Sequence, residues 1–297
     1  DVIESRGLGD VYKRQPVGYL SSIQNWANQN DIEYADLMNE DNVKLVHFIG
    51  KDIVYFHLLF WPAMLKTYGI NNLDEVFVHG FLTIEGSKMS KSKGNFILAD
   101  KALTFAHPDY YRYYLCSKLN TDISDIDFSV NDFVQKINSD LIGKFINIGS
   151  RTQNFLVKLN SSKVASGNIS KSLEFKKNYE EIISLIDRKE YSKALKNIMN
   201  IADKINAYVS TEEPWNKAKN GEETECIAIC SEALNVFKDL TILLQSFIPS
   251  IADKIFSLLN VSELNYDDLS SDNLKEVKKF EPFITRLEKN DFDGILD

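Results

Sequence analysis

Cysteine is scarce in this chain: Cys116, Cys226 and Cys230 are the only three in 297 residues. An odd count without a Cys-x-x-Cys pair implies neither a disulfide framework nor a zinc knuckle, and a reducing compartment is the simplest setting. Cys226 and Cys230 stand four apart on an expected helix and can share a face, where core packing outweighs metal ligation. No uninterrupted apolar run reaches the ~20 residues of a membrane-spanning helix, and no signal peptide can be read. A cytoplasmic protein is therefore expected, with no membrane partner. Positive charge is also short, since 34 Lys and Arg against 43 Asp and Glu leave a formal charge of −9. That balance argues against a general nucleic-acid binder such as a DNA-binding protein. A local basic groove on an acidic body stays compatible with it, because steering follows the distribution of charge.

What is present describes a soluble globular chain, with 44% hydrophobic and 26% charged residues and room for two ordinary domains. The opening DVIESRGLGDVYKRQ shows neither strand alternation nor a helical stripe. It resembles translated adapter sequence and is set outside the fold as a non-native segment, residues 1–15. Residues 16–20 read as a turn into a helix at about 21–28. Residues 44–49 (KLVHFI) form a nearly continuous apolar run, the pattern of a buried parallel strand. Gly50 ends it, and Asp52 opens a helix that Pro62 kinks or divides. Residues 76–79 and 81–84 are two further short strands. Strand, helix, strand and loop make up half of a doubly wound α/β sheet, in which ligands gather beyond the C-terminal ends of the strands. Gly50 with Asp52 stands at one such end and His79 with Gly80 at another.

Helices dominate beyond residue 107. Residues 107–118 carry Tyr110, Tyr111, Tyr113 and Tyr114, and the acidic stretch 122–127 follows as a connector. Ser129 is expected to cap a long helix in which Val130, Phe133, Val134, Ile137, Leu141, Phe145 and Ile148 recur at spacings of three and four. A polar linker at 161–172 separates it from amphipathic helices near 173–188, 190–209, 222–247 and 249–259. Short connections favour an up-and-down bundle. The last forty residues are acidic and weakly patterned.

Residues 85–95 read EGSKMSKSKGN. Lys88, Lys91 and Lys93 sit among Ser87, Ser90 and Ser92, Met89 is the one apolar residue inside, and a glycine stands near each end. This is a mobile cationic loop able to gather ammonium and hydroxyl groups around an oxyanion. For an arbitrary run of this kind a solvated basic loop is the commoner reading, and the GxxxxGK[ST] order of a Walker phosphate loop is absent.

The neighbouring wording gives the loop its context. Lys88-Met89-Ser90-Lys91-Ser92, followed by Lys93-Gly94-Asn95, resembles the second signature of class I aminoacyl-tRNA synthetases. His47-Phe48-Ile49-Gly50-Lys51-Asp52-Ile53-Val54-Tyr55-Phe56-His57, continuing through Phe60-Trp61-Pro62-Ala63, is similar to methionyl-tRNA synthetases in particular. Residues 16–19 and 77–80, then Asn147 to Arg151, then Pro214-Trp215, agree in the same order. The similarity covers nearly everything after Gln15.

The resemblance implies the C-terminal half of a Rossmann-like catalytic domain (residues 16–121) followed by an all-α anticodon-binding bundle (residues 122–297). It implies ATP, carried with Mg2+, L-methionine and tRNA(Met) as substrates, with methionyl-adenylate formed and then transferred to the tRNA. Lys88 and Lys91 would stabilise charge on the departing pyrophosphate. Gly50, Asp52, His79, Gly80, Met89, Ser90 and Ser92 would join those two lysines around the nucleotide. Tyr19, Ile53, Phe56 and His57 would line the methionine side chain, whose thioether packs well on aromatic rings. Asn147, Arg151, Pro214 and Trp215 would meet the anticodon, where RNA reading favours splayed bases stacked and bonded at their edges. Each residue also has a plainer reading: Asp52 as a helix-start carboxylate, His57 as a packed core histidine, Trp215 as a core anchor.

Two departures temper the resemblance. The His-x-Gly-His turn of class I synthetases is absent, and Tyr12 stands where the family has a tryptophan. No metal ligands are expected here, since the family's zinc motif would lie upstream. Two functions follow as alternatives: a methionine–tRNA ligase read from an incomplete gene, with little activity in this chain alone, or a catalytically inactive anticodon-binding module.

Overall fold

In the computed structural model the contacts divide the chain into two units: residues up to Phe81 with Thr121–Asp125, and Leu82–Asn120 with Ile126–Asp297. The structure describes residues 15–39, 43–70, 74–89, 95–262 and 264–295. The set-aside segment, except Gln15, and Ser90, Lys91 and Ser92 of the Lys/Ser loop lie outside the described residues.

In the first unit, α1 (Val17–Gln29) and α2 (Tyr34–Asn39) precede a pair of parallel strands. These are β1 (Val46–Gly50) and β2 (Glu75–His79), in register from Val46 opposite Glu75 to Gly50 opposite His79. The run 44–49 is not buried throughout: His47 and Ile49 are buried, whereas Val46 and Phe48 are exposed. Successive side chains point to opposite faces, and Phe48 instead stacks on Phe77, its register partner, with centroids 5.2 Å apart. Between the strands run a 3-10 turn (Lys51–Ile53), a π-helical turn (Phe56–Phe60) and α3 (Trp61–Thr67). Pro62 accounts for the widened turn, because it lacks an N–H and crowds the carbonyl four residues back.

The second unit begins with β3 (Leu82–Ile84), flanked by antiparallel β4 (Ser87–Lys88) and parallel β5 (Ile126–Phe128). The strand following His79 and Gly80 thus belongs to a separate sheet from β1 and β2. After α4 (Ala99–Phe105) and α5 (Pro108–Lys118) comes the long helix. It consists of α6 (Val130–Lys136), a π-helical stretch (Ile137–Ile146) and α7 (Asn147–Leu159). Ser129 precedes α6, but its side chain bonds no helix N–H, which corrects the expected cap. Its main-chain carbonyl accepts the first bond of the helix, from Phe133 N at 2.9 Å. Then follow α8 (Ser170–Glu174), α9 (Lys176–Asp187), α10 (Tyr191–Glu212), α11 (Pro214–Lys219), α12 (Glu223–Leu244) and α13 (Pro249–Leu258).

Helix α12 is central, buried all round over most of its length, as a helix enclosed by others must be. Cys226 and Cys230 are core residues of it. Its buried polar residues reach out to irregular segments. Glu232 accepts from the Ser170 and Lys171 main-chain N–H groups at 3.1 and 2.9 Å, satisfying the start of α8. Lys238 Nζ donates to the carbonyls of Asp268 (3.2 Å) and Ser271 (2.7 Å) and to Asn273 Oδ1 (2.9 Å), with Asp239 Oδ1 at 3.4 Å. Asp239 in turn accepts from Ser172 Oγ and the Ser270 N–H. Burial lowers the pKa of Lys238 and raises that of Asp239, and each charge offsets part of the other's shift. The weakly patterned tail is therefore well packed: Leu274, Val277, Phe280, Leu287, Phe292 and Ile295 are buried.

Lys238→Met should destabilise the helical unit by ~3–5 kcal/mol in urea unfolding, because it leaves Asp239 buried without its partner. Lys238→Met with Asp239→Leu should recover part of that loss. At Gly149, an added Cβ would stand 2.8 Å from Phe237 Cε1 and 3.3 Å from Phe280 Cε2. Gly149→Ala should therefore lower stability by ~1–3 kcal/mol from overpacking, despite the better helix propensity of Ala.

Candidate functional site

The C-terminal ends of β1 and β2 bring Gly50 and His79 side by side in register. Gly50 is extended (φ −74°, ψ 153°), and a Cβ there would meet Asp52 Oδ1 at 2.7 Å. The missing side chain thus gives the Asp52 carboxylate its place at the strand end. Gly80 has a stricter requirement: a Cβ would stand 2.1 Å from the Ser124 carbonyl oxygen and 2.8 Å from Asp125 Cα. The backbone of Thr121–Asp125 therefore passes where any other residue would project, and Asp125 accepts from the Phe81 N–H (2.7 Å) and pairs with Lys51 (2.7 Å). His79 Nδ1 lies 2.8 Å from the Gly80 carbonyl. A carbonyl can only accept, so Nδ1 carries the proton and, in the neutral ring, Nε2 is left as an acceptor.

Beside these ends lies a cluster of rings. Tyr19 Oη lies 3.0 Å from His57 Nε2, and His57 Nδ1 lies 3.0 Å from the Ile53 carbonyl. The carbonyl again fixes the tautomer: Nδ1–H donates to Ile53, and Nε2 accepts from the Tyr19 hydroxyl. Tyr19, Ile53 and His57 are thus joined by hydrogen bonds, whereas Phe56 packs on Phe60 (centroids 6.0 Å). Two members of the cluster were not singled out from the sequence. Trp61 Nε1 donates to His47 Nε2 at 3.2 Å, and His47 lies 5.0 and 5.5 Å, ring to ring, from Tyr19 and His57. Both were findable: Trp61 follows His57 by four on the same helical path, and strand alternation puts His47 on the buried face of β1. Burial and the neighbouring His57 lower the pKa of His47 below its ordinary 6.5.

In the second unit, Glu85 and Gly86 have positive φ (48° and 74°), the conformation of a two-residue primed hairpin turn. Asp127 Oδ1 accepts from both the Gly86 N–H (2.8 Å) and Thr83 Oγ1 (2.7 Å), pinning that turn. The start of the Lys/Ser stretch is therefore ordered strand, which corrects the reading of 85–95 as loop throughout. Lys88 is exposed on β4, and Asn95 Nδ2 donates to its carbonyl at 3.1 Å. Met89 lines an apolar cavity of about 270 Å³ with Leu82, Ile84, Ile97, Tyr111 and Phe128.

A third group of candidates meets on the helices. Asn147, the first residue of α7, donates through Nδ2 to Asn206 Oδ1 at 2.9 Å. One turn on, Arg151 donates to Ser210 Oγ (2.9 Å) and the Asn206 carbonyl (3.4 Å). Its guanidinium lies over the Trp215 ring, 5.1 Å from the centroid. Pro214 is the buried first residue of α11, set by Glu213 in the left-handed region (φ 45°). Trp215 is half-buried and also packs on the core, so its anchoring reading has geometric support as well. Asn206 and Ser210 were missed; their i, i+4 spacing on α10 mirrors that of Asn147 and Arg151. Among the described residues no group of three or more His, Cys, Asp or Glu could hold a metal ion, and no helix is long and apolar enough to cross a membrane.

Residues 11–153 match the family model of class I tRNA synthetases (M), which defines the class of this chain; the match begins inside the set-aside segment. Residues 163–291 match the anticodon binding domain of methionyl tRNA ligase. The chain belongs to the methionyl-tRNA synthetase family. It is 39% identical to a methionine–tRNA ligase of Ralstonia nicotianae over 97% of its own length and 43% of the relative's. It is equally similar to one of Francisella tularensis over 97% and 44%. The chain thus spans less than half the length of these relatives. The crystal structure of Mycobacterium tuberculosis methionyl-tRNA synthetase bound by methionyl-adenylate superposes with a TM-score of 0.69 at 25% identity, covering 80% of this chain and 49% of that one.

The sign of the His47 effect follows from its lowered pKa. The folded state holds the ring neutral while the unfolded state protonates near pH 6.5, so stability is full above that pH. It is lost as the pH falls towards the folded-state value. Urea midpoints should fall between pH 7.5 and 5.5, and should fall less in His47→Gln, which cannot titrate.

Proposed function

We propose that this chain supplies part of a methionine–tRNA ligase: ATP, carried with Mg2+, activates methionine, and the adenylate passes to tRNA(Met). The observation that carries this reading is the Tyr19–His57–Ile53 chain of hydrogen bonds, set beside the C-terminal ends of two parallel strands. A neutral imidazole and a phenol on aromatic walls suit an uncharged thioether, and the strand ends suit a nucleotide.

In the first step the methionine carboxylate forms a bond to the α-phosphorus, and the bond to the bridging oxygen breaks to release pyrophosphate. Negative charge grows on the leaving group, and the Lys88 and Lys91 ammonium groups answer it. Asp52 accepts from the ribose, and Gly50, His79, Gly80, Met89, Ser90 and Ser92 take part in ATP binding. In the second step a terminal ribose hydroxyl of the tRNA attacks the carbonyl carbon and AMP leaves. Phe56 completes the methionine pocket with Tyr19, Ile53 and His57. Asn147, Arg151, Pro214 and Trp215 hold the anticodon. The domains follow as residues 16–121 and 122–297, in a cytoplasmic translation enzyme.

In the complete ligase, Lys91→Gln should slow adenylation by roughly 10²-fold while changing ATP affinity little. Pre-steady-state kinetics with unchanged chemistry would remove Lys91 from this role. In the present chain, Trp215→Ala should weaken binding of a methionine anticodon stem-loop about tenfold, since base stacking on an aromatic ring contributes ~1–3 kcal/mol. Unchanged affinity with a normal circular dichroism spectrum would refute it. A second reading, an anticodon-binding module without catalysis, is favoured by the extensive separate core of the helical unit. The second reading predicts no methionine-dependent ATP–pyrophosphate exchange, so exchange by this chain would overturn it.

A further inference from the structure

The side-chain amide of Asn206 is bonded on both of its ends. Its Nδ2 donates to two main-chain carbonyls, Lys144 O at 2.8 Å and Ala202 O at 2.9 Å. Neither carbonyl can donate, so the amide cannot be turned over without setting two acceptors against its oxygen. Its Oδ1 therefore faces Asn147, which must answer with Nδ2 at 2.9 Å. The direction of the Asn147 amide is thus decided two links away, by backbone. Asn147 is left with Oδ1 as its outward group, and no described residue bonds that atom. Next to it stands the Arg151 guanidinium, held by Ser210 and the Asn206 carbonyl and backed by Trp215. The surface so formed offers one fixed acceptor beside fixed donors.

We infer that Asn206 is a positioning residue for RNA recognition, and that it selects a base edge carrying an amino group next to a ring acceptor. Cytosine has that edge, with N4–H2 as donor and N3 and O2 as acceptors. Uracil has a keto oxygen where cytosine has the amino group, and would meet Asn147 Oδ1 acceptor to acceptor. Were Asn147 free to turn over, its Nδ2 would serve uracil as well as its Oδ1 serves cytosine. Asn206 thereby converts an adaptable carboxamide into a one-way reader. The inference rests on the anticodon role proposed above, in which the CAU anticodon pairing with the methionine codon begins with cytosine.

The test measures binding of the full 297-residue chain to two anticodon stem-loops, CAU and UAU. The unaltered chain should favour CAU by about tenfold or more, the discrimination of one well-made polar contact. Asn206→Leu removes the acceptor facing Asn147 and should bring the ratio to within about threefold, mainly through a gain of UAU affinity. Asn206→Asp keeps an acceptor towards Asn147 but loses both donors. It should keep the ratio while lowering the urea midpoint, so discrimination and stability separate. A purely structural role would weaken both RNAs in parallel with stability; that result in both variants, at normal helicity by circular dichroism, overturns the inference. Asn147→Ala distinguishes the two levels. If it abolishes discrimination while Asn206→Leu does not, the positioning role fails and the anticodon role stands. If Asn147→Ala leaves the ratio unchanged, the anticodon role of this surface fails and the inference with it.

Discussion

Helix α12 imposes the constraint on which the helical unit depends. A helix enclosed on all sides loses water everywhere, so its polar side chains need partners within the protein. Those partners come from segments with little regular structure of their own: residues 165–172 and 268–273. Lys238 and Asp239 show the balance of terms. Burying an isolated ammonium or carboxylate is costly by several kcal/mol, and here the ion pair and a cage of carbonyl and hydroxyl groups offset that cost. The buried polar residues of α12 thereby give position to chain that apolar packing alone would leave unspecified in register.

The same physical device directs both polar candidate sites. A main-chain carbonyl accepts and never donates, so a side chain bonded to it loses its freedom to reverse. Ile53 O fixes the His57 tautomer, and His57 fixes the direction of the Tyr19 hydroxyl. Lys144 O and Ala202 O fix Asn206, and Asn206 fixes Asn147. In each chain the group facing outward is set without a formal charge, as the proposed methionine and anticodon roles require. The proposed role of the Lys/Ser hairpin makes a different electrostatic demand, for ammonium groups that answer growing negative charge. There the structure supplies a pinned turn and an apolar seat for Met89 at the base of the segment.

Much of this was legible in the linear chain. The lysine-rich wording of residues 88–95, the 47–57 segment and the 147/151 pair carried the family before any fold was known. The periodicity of the helical half located most helices to within a few residues. The misreadings share a cause. The run 44–49 looked buried because apolar composition does not say which face of a strand is covered, and Phe48 is exposed. The last forty residues looked unpatterned because their apolar side chains pack one at a time into a core built by other segments. Ser129 has the residue type and place of a cap, but whether a hydroxyl bonds the helix depends on a rotamer that sequence does not record.

By itself, the sequence determined the family, the first three strands and the main helices, and the residue types gathered at each candidate site. These are local properties: short motifs, spacing along one helix or strand, and charge within a loop. Only the tertiary structure decided which groups complete the sites and which way they face. His47 and Trp61 join Tyr19 and His57 because strand and helix pack together, and Asn206 meets Asn147 across 59 residues of chain. Hydrogen-bond direction is a property of such long-range contacts, because it depends on what lies at the far end of each bond.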